Sequence, residues 1–256
     1  LIYSGRDYEK AKGILEGVFA SLNKLTDEFE PEFDEWRLNL LVAYAQDVMG
    51  YMYRSQGNFA KAIEYFQKNI RIWRELHAAS ELAATLNNLS WALSEMGDFQ
   101  SALTYCEDGL SLRRRLGHRY PVALSLNTLG IIETRNGQPE RARFRCEQAL
   151  GVFRDLEQPR GIGLASIALA EALRRMTNVS DLLTDEQSVT NLEFAQQYAL
   201  EAIEIFTNTV KERLILVESY IELGCIYREM VRRNKNDKAI INVFVDRSVS
   251  AFEAAV

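Results

Sequence analysis

The chain has 256 residues, 47% of them hydrophobic and 26% charged, with 4 prolines and 14 glycines. This is the composition of an ordinary globular protein of one large or two ordinary domains, and so few prolines and glycines exclude long Pro/Gly-rich linkers. A formal net charge of −6 argues against nucleic acid or a membrane surface as a direct partner. No apolar run approaches the roughly 18 to 20 residues that span a bilayer.

In chain order, "LIYSGRDYEK" brings charge within a few residues and does not read as a signal peptide. It starts in the middle of a helical pattern, and "SVSAFEAAV" at the other end reads as an unfinished helix. The expectation is therefore a piece of a longer protein. Residues 1–40 read as a partial unit, with "GRDYEKAKGILEGVF" as its helix and the acidic "LTDEFEPEFDEW" as a loop.

Three regular units follow, over 41–80, 81–120 and 121–160. Gly57, Gly97 and Gly137 stand 40 residues apart. Ala62, Ala102 and Ala142 keep the same step, as do Met49, Leu89 and Leu129. Gly50, Ser90 and Gly130 form a small-residue column, and Phe66, Cys106 and Cys146 form another. A fixed period of this length is the signature of a repeat architecture. Within a unit, "ELAATLNNLSWALSEM" has apolar residues at helical spacing. Gly97 supplies the positive φ that ends this helix, and Asp98 suits the N-cap of the next. Each unit is thus an αα-hairpin, and the small-residue columns let its two helices approach closely. One hairpin cannot bury its apolar face alone, so the units stack.

The regular pattern then loosens. A fourth unit spans 161–212 and carries an insertion over 177–190, whose "SDLLTDEQ" core would be a short helix capped by Ser180. The last unit, 213–256, shows "YIELGCIY" and then a polar break, "RRNKNDK".

The columns Leu86, Leu89, Ser90, Leu93, Ala102, Cys106 and Gly109 resemble the tetratricopeptide repeat. The period of 40, the "LNNLSWAL" and "LNTLGIIE" segments and the long second helices are similar to the subtype found in kinesin light chain and in the sensor arms of bacterial STAND regulators. The resemblance implies one all-α domain over 1–256, a right-handed superhelical solenoid of antiparallel hairpins.

Catalytic and metal-binding patterns are lacking. The two histidines, His77 and His118, fall near the ends of second helices with no nucleophile set beside them, and no P-loop, GxGxxG, HExxH or GxSxG occurs. Cys106, Cys146 and Cys225 have no CxxC spacing and read as small buried residues of a reducing compartment. The chain is expected to be no enzyme, to hold no cofactor or metal, and to work in the cytoplasm. The basic text from Arg113 to Arg119 and from Arg141 to Arg145 reads as the solvated outer face of second helices.

In tetratricopeptide-like solenoids the first helices line the concave face, and helical spacing selects the outward residues there. The candidate partner-binding residues are Asp47, Tyr51, Arg54, Asn87, Trp91, Asn127, Ile131, Glu171, Arg174 and Arg228. Asn87 and Asn127, one period apart with Asp47 in the same column, offer amides that could hold an extended peptide backbone. Tyr51, Trp91 and Ile131 form an apolar column suited to anchoring a partner chain. Arg54, Arg174 and Arg228 could receive carboxylates. The expected function is a protein- or peptide-binding module, a sensor or scaffold within a larger bacterial regulatory protein, with its other domains as further partners. A small-molecule effector domain and a self-associating architectural arm are the alternatives.

Overall fold

A computed structural model describes residues 13, 17, 20, 21, 33–179, 184–233 and 238–254. Every element over these residues is helical: α1 (Phe33–Ser55), α2 (Phe59–Glu75), α3 (Ala79–Glu95), α4 (Phe99–Leu116), α5 (Arg119–Arg135), α6 (Pro139–Asp155), α7 (Pro159–Val179), α8 (Asp185–Glu204), α9 (Arg213–Arg233) and α10 (Lys238–Ala254). A π-helical turn, Ile205–Thr209, follows α8. The chain is all-α and built of antiparallel hairpins. It divides into two compact units, Leu1–Gly117 and His118–Val256.

In the first unit α1 packs on α2 and α3 on α4, with α2 and α1 also meeting α3. In the second, the hairpins are α5/α6, α7/α8 and α9/α10, and the first helices α5, α7 and α9 lie side by side. The repeat columns explain the packing. Met49, Leu89, Leu129 and Leu169 are buried, as are Ala62, Ala102 and Ala142 and, between them, Phe66, Cys106 and Cys146. A Cβ placed on Gly50 would sit 2.5 Å from the Phe66 ring, and one on Gly130 would sit 2.3 Å from Cys146 Sγ. Those glycines are small because a second helix occupies the space.

Helix ends follow the same rhythm. Gly57, His77, Gly97, Gly117, Gly137 and Glu157 all take positive φ, each 20 residues after the last (77 − 57, and so on). Each helix-to-helix turn from Gly57 to Glu157 therefore uses one left-handed residue, which costs glycine least. Asn58 and Asp98 cap the helices that follow by accepting from the backbone N–H of Lys61 and Ser101.

Three expectations are adjusted. Helix α1 already includes Phe33–Trp36, the end of the stretch read as an acidic loop. The insertion is absorbed by long helices, α7 to Val179 and α8 from Asp185. The cap of α8 is Thr184, in a reciprocal capping box with Gln187, while Ser180 lies outside the described residues. Arg113, read as part of an outer basic face, is only 7% exposed. Its aliphatic stem runs through the packing and carries the guanidinium to the side of α3.

Candidate functional site

In the first unit the outward residues of α1 and α3 form one cluster. Tyr44 and Tyr51 are each 48% exposed. The Arg54 guanidinium lies 4.4 Å from the Tyr51 ring centre and 4.9 Å from that of Trp91, and Nη1 donates to Asn88 Oδ1 at 3.3 Å. Phe59 meets Trp91 edge-on, and Phe66 meets Tyr51 likewise. A guanidinium over two aromatic faces is held by their quadrupoles and by packing, so its orientation is fixed before any ligand arrives. Sequence spacing placed Tyr51, Arg54 and Trp91 on one face, and the fold brings them into contact.

Asn87 is half-buried. Its Oδ1 accepts from Arg113 Nη1 at 3.5 Å, with Cys106 Sγ donating from 3.9 Å. Burial holds the Arg113 guanidinium below its ordinary pKa. An arginine remains cationic at neutral pH even so. Asp47 serves the interior of the unit. Its carboxylate accepts from Trp73 Nε1 at 3.3 Å and Thr85 Oγ1 at 3.0 Å, tying α1 to α2 and α3. Burial, the largest influence, raises its pKa against those hydrogen bonds. The nearby Asn69 amide, fully buried, has no well-formed hydrogen bond.

The second unit places its candidates differently. Asn127 is 5% exposed and its Oδ1 has no hydrogen-bond partner among the described residues, so the oxygen expected to grip a peptide faces the interior. Ile131 is partly covered. Arg174 forms a bidentate pair with Glu222 on α9, at 2.5 and 3.0 Å. Burial raises the Glu222 carboxyl while Arg174 pulls it back down. Glu171 pairs with Arg175 at 2.8 Å. Arg228 is exposed, its Nη2 donating to Cys225 Sγ at 3.8 Å. A shallow crevice of about 300 Å³ opens among Arg143, Met176, Glu186, Gln187, Thr190 and Asn191. Among the described residues, no group of three or more His, Cys, Asp and Glu side chains could hold a metal ion, and no helix is long and apolar enough to cross a membrane.

Sequence reasoning missed Arg113, although one signal was present. Trp73, Arg113 and Phe153 occupy a single column of period 40, and the first and last are fully buried aromatics. A cation in a core column is the informative kind of exception.

No curated protein is similar enough in sequence to count as a relative. Solved structures are similar in fold. A Rap protein complexed with competence and sporulation factor shares 16% identity at a TM-score of 0.65, covering 97% of this chain and 72% of that one. A kinesin light chain with nearly identical TPR-like repeats, from Podosopora anserina, shares 15% at 0.56, covering 81% and 93%. A signal-transduction ATPase with numerous domains (STAND) and a tetratricopeptide repeat sensor, from Pyrococcus horikoshii, shares 16% at 0.56, covering 95% of this chain and 37% of that one. Residues 41–115 match the tetratricopeptide repeat family. That segment is therefore tetratricopeptide repeat in family, and the chain as a whole is tetratricopeptide-like in fold.

Proposed function

We propose that this chain is a non-catalytic protein- or peptide-binding module, the sensor or scaffold part of a larger cytoplasmic regulatory protein of bacterial type. The observation that carries this reading is the ordered cluster of Tyr51, Arg54 and Trp91 on the first-helix face, where a half-exposed Tyr51 and a partly covered Trp91 are held ready for a partner. The similar Rap structure complexed with competence and sporulation factor, and that of a Rap conjugation gene regulator in complex with the Phr* peptide, support the same class. Recognition needs no chemistry. Tyr51 and Trp91 anchor apolar side chains, Arg54 and Arg228 select charge, and Asn87 keeps its Nδ2 for a backbone carbonyl. In the second unit Ile131 and Glu171 offer the corresponding first-helix face of that unit by itself. Arg174 and Asn127 act through the scaffold, since their polar atoms are turned inward.

The test is a random dodecapeptide phage library panned on the full chain. Enrichment of specific peptides is expected. Tyr51→Ala with Trp91→Ala should weaken the best of them at least about 30-fold, two aromatic anchors being worth 2 kcal/mol or more, with helicity retained. A library that never enriches refutes the reading. The crevice of about 300 Å³ beside α8 favours, second, a small-molecule effector site, which a thermal-shift screen of metabolites would reveal as a raised melting temperature.

A further inference from the structure

The stacking that joins one hairpin to the next leaves two of its surfaces uncovered. Val48, Asn88, Ala168 and Glu222 occupy one column of the repeat, each just before the buried Met49, Leu89, Leu169 and Leu223. Asn88 is 8%, Ala168 5% and Glu222 9% exposed, because α1 lies against α3, α5 against α7 and α7 against α9. Val48 is 46% exposed, and Leu41 and Tyr44, at helical spacing on the same side of α1, are open as well. The other side of a first helix does the covering. Arg54, five residues after Met49, donates to Asn88, and Arg174, five after Leu169, forms its bidentate pair with Glu222. Arg228 stands five residues after Leu223, in the same column, and is exposed on α9 together with Leu214 and Ile221. Asp47, Asn87 and Ile167, the counterparts of Ile221, are partly covered.

We infer that these two surfaces are the halves of one interface, and that a second copy of this chain covers them. Helix α9 of one copy, through Leu214 and Ile221, stacks on Leu41, Tyr44 and Val48 of α1 of the next, as α7 stacks on α9 within the chain. The occupant follows from the repeat. The column of Val48 is built to lie under a preceding first helix, and α9 is a first helix whose covering side is exposed, so one chain carries both surfaces. Burying these apolar side chains removes them from water, the main drive of association between proteins. Arg228 gains the place over a neighbouring helix that Arg54 and Arg174 hold within the chain. The contact is heterologous, since the two surfaces differ, so each pair of copies keeps one of each free and addition continues. It does not depend on the peptide-binding reading above.

Light scattering on the 256-residue chain tests this. The mass should rise at least about twofold above that of a monomer between about 1 and about 500 µM, the behaviour of a small interface that does not close. Leu41→Asp with Val48→Asp blocks one surface, and Leu214→Asp with Ile221→Asp blocks the other. These positions are exposed, so helicity should be unchanged. Should an aspartate protein lose helicity, glutamine at the same positions repeats the test without the new charges. Each double variant alone should remain monomeric. Mixed in equal amounts, the two should form a dimer and nothing larger, because the one intact contact joins α9 of the first to α1 of the second. A wild type that stays monomeric throughout the range overturns the inference. Assembly that survives either pair of substitutions also overturns it, by placing the contact elsewhere or between two α1 surfaces. A mixture of the two variants that stays monomeric overturns the head-to-tail pairing.

Discussion

Adding one methyl group at Gly50 tests whether the small-residue column exists for close approach. In a helix interior alanine is favoured over glycine by about 1 kcal/mol, so on propensity alone Gly50→Ala should stabilise α1. The new Cβ, however, would lie 2.5, 2.8 and 2.9 Å from three carbons of the Phe66 ring, where carbon contacts are comfortable at about 3.5–4.0 Å. The ring must retreat by about 1 Å, and it is fully buried, so the overpacking cost falls near the upper end of about 1–3 kcal/mol. The net expectation is a loss of about 2 kcal/mol. All three tryptophans, Trp36, Trp73 and Trp91, belong to the first unit, so tryptophan emission during a urea titration reports on the perturbed unit alone. Gly151 is the control. It lies exposed within α6 with nothing near its missing Cβ, so Gly151→Ala should raise the circular-dichroism midpoint by the equivalent of about 1 kcal/mol. Pairing Gly50→Ser with Phe66→Cys copies Ser90 and Cys106 of the next unit. The double variant should lose at least about 1 kcal/mol less than the two single changes summed. A Gly50→Ala protein as stable as the wild type would refute the close-approach argument.

Two further outcomes follow from buried groups. Arg174→Ala, which strands the Glu222 carboxylate, should cost about 3 kcal/mol in chemical denaturation, whereas Arg174→Met with Glu222→Leu should be close to neutral. With a soluble alkylating agent at mildly alkaline pH, Cys225 should react in the native protein while Cys106 and Cys146 react only after unfolding. Both of those are fully buried, and burial pushes the Cys146 thiol well above its ordinary pKa. Mass spectrometry of the labelled peptides reads the order directly.

The period made the scaffold legible because packing is what the period encodes. Met49, Leu89 and Leu129, or Ala62, Ala102 and Ala142, recur since each must fill the same hole, and one column serves as a check on the next. Polar residues obey no such constraint, and their partners can lie far along the chain. The pairing of Arg174 with Glu222, 48 residues on, depends on α7 meeting α9, which no local pattern states. The insertion defeated the register for a similar reason. The period calls for the alanine column at position 182, but the alanine that fills it stands 13 residues later, at Ala195, while the local signal, Thr184 followed three residues later by Gln187, marks where the helix starts. The run "RRRLGHR" hid Arg113 because three adjacent arginines look alike until the column of Trp73 and Phe153 separates the first from its neighbours.

That column also explains why the ladder of Asp47, Asn87 and Asn127 does not behave as one. The residue 26 positions later in each member's own hairpin is Trp73, Arg113 and Phe153 in turn. The first two are donors and their hydrogen bonds form, at 3.3 and 3.5 Å. Phenylalanine has none to give, and Asn127 Oδ1 is a buried acceptor without a hydrogen-bond partner among the described residues. The same substitution should therefore have different effects one period apart. Asn87→Ala removes the acceptor of a buried guanidinium and should cost about 1–3 kcal/mol. Asn127→Ala removes an oxygen that already bears its desolvation penalty uncompensated, so it should cost less than about 1 kcal/mol, or stabilise. The same logic makes Phe153→Trp the constructive variant, since an indole N–H at that position would meet the orphaned oxygen as Trp73 meets Asp47. Urea midpoints for Asn87→Ala and Asn127→Ala measured side by side decide the matter. Equal losses would mean that the two amides are equivalent, and that the identity of the residue 26 positions on does not govern where each side chain turns.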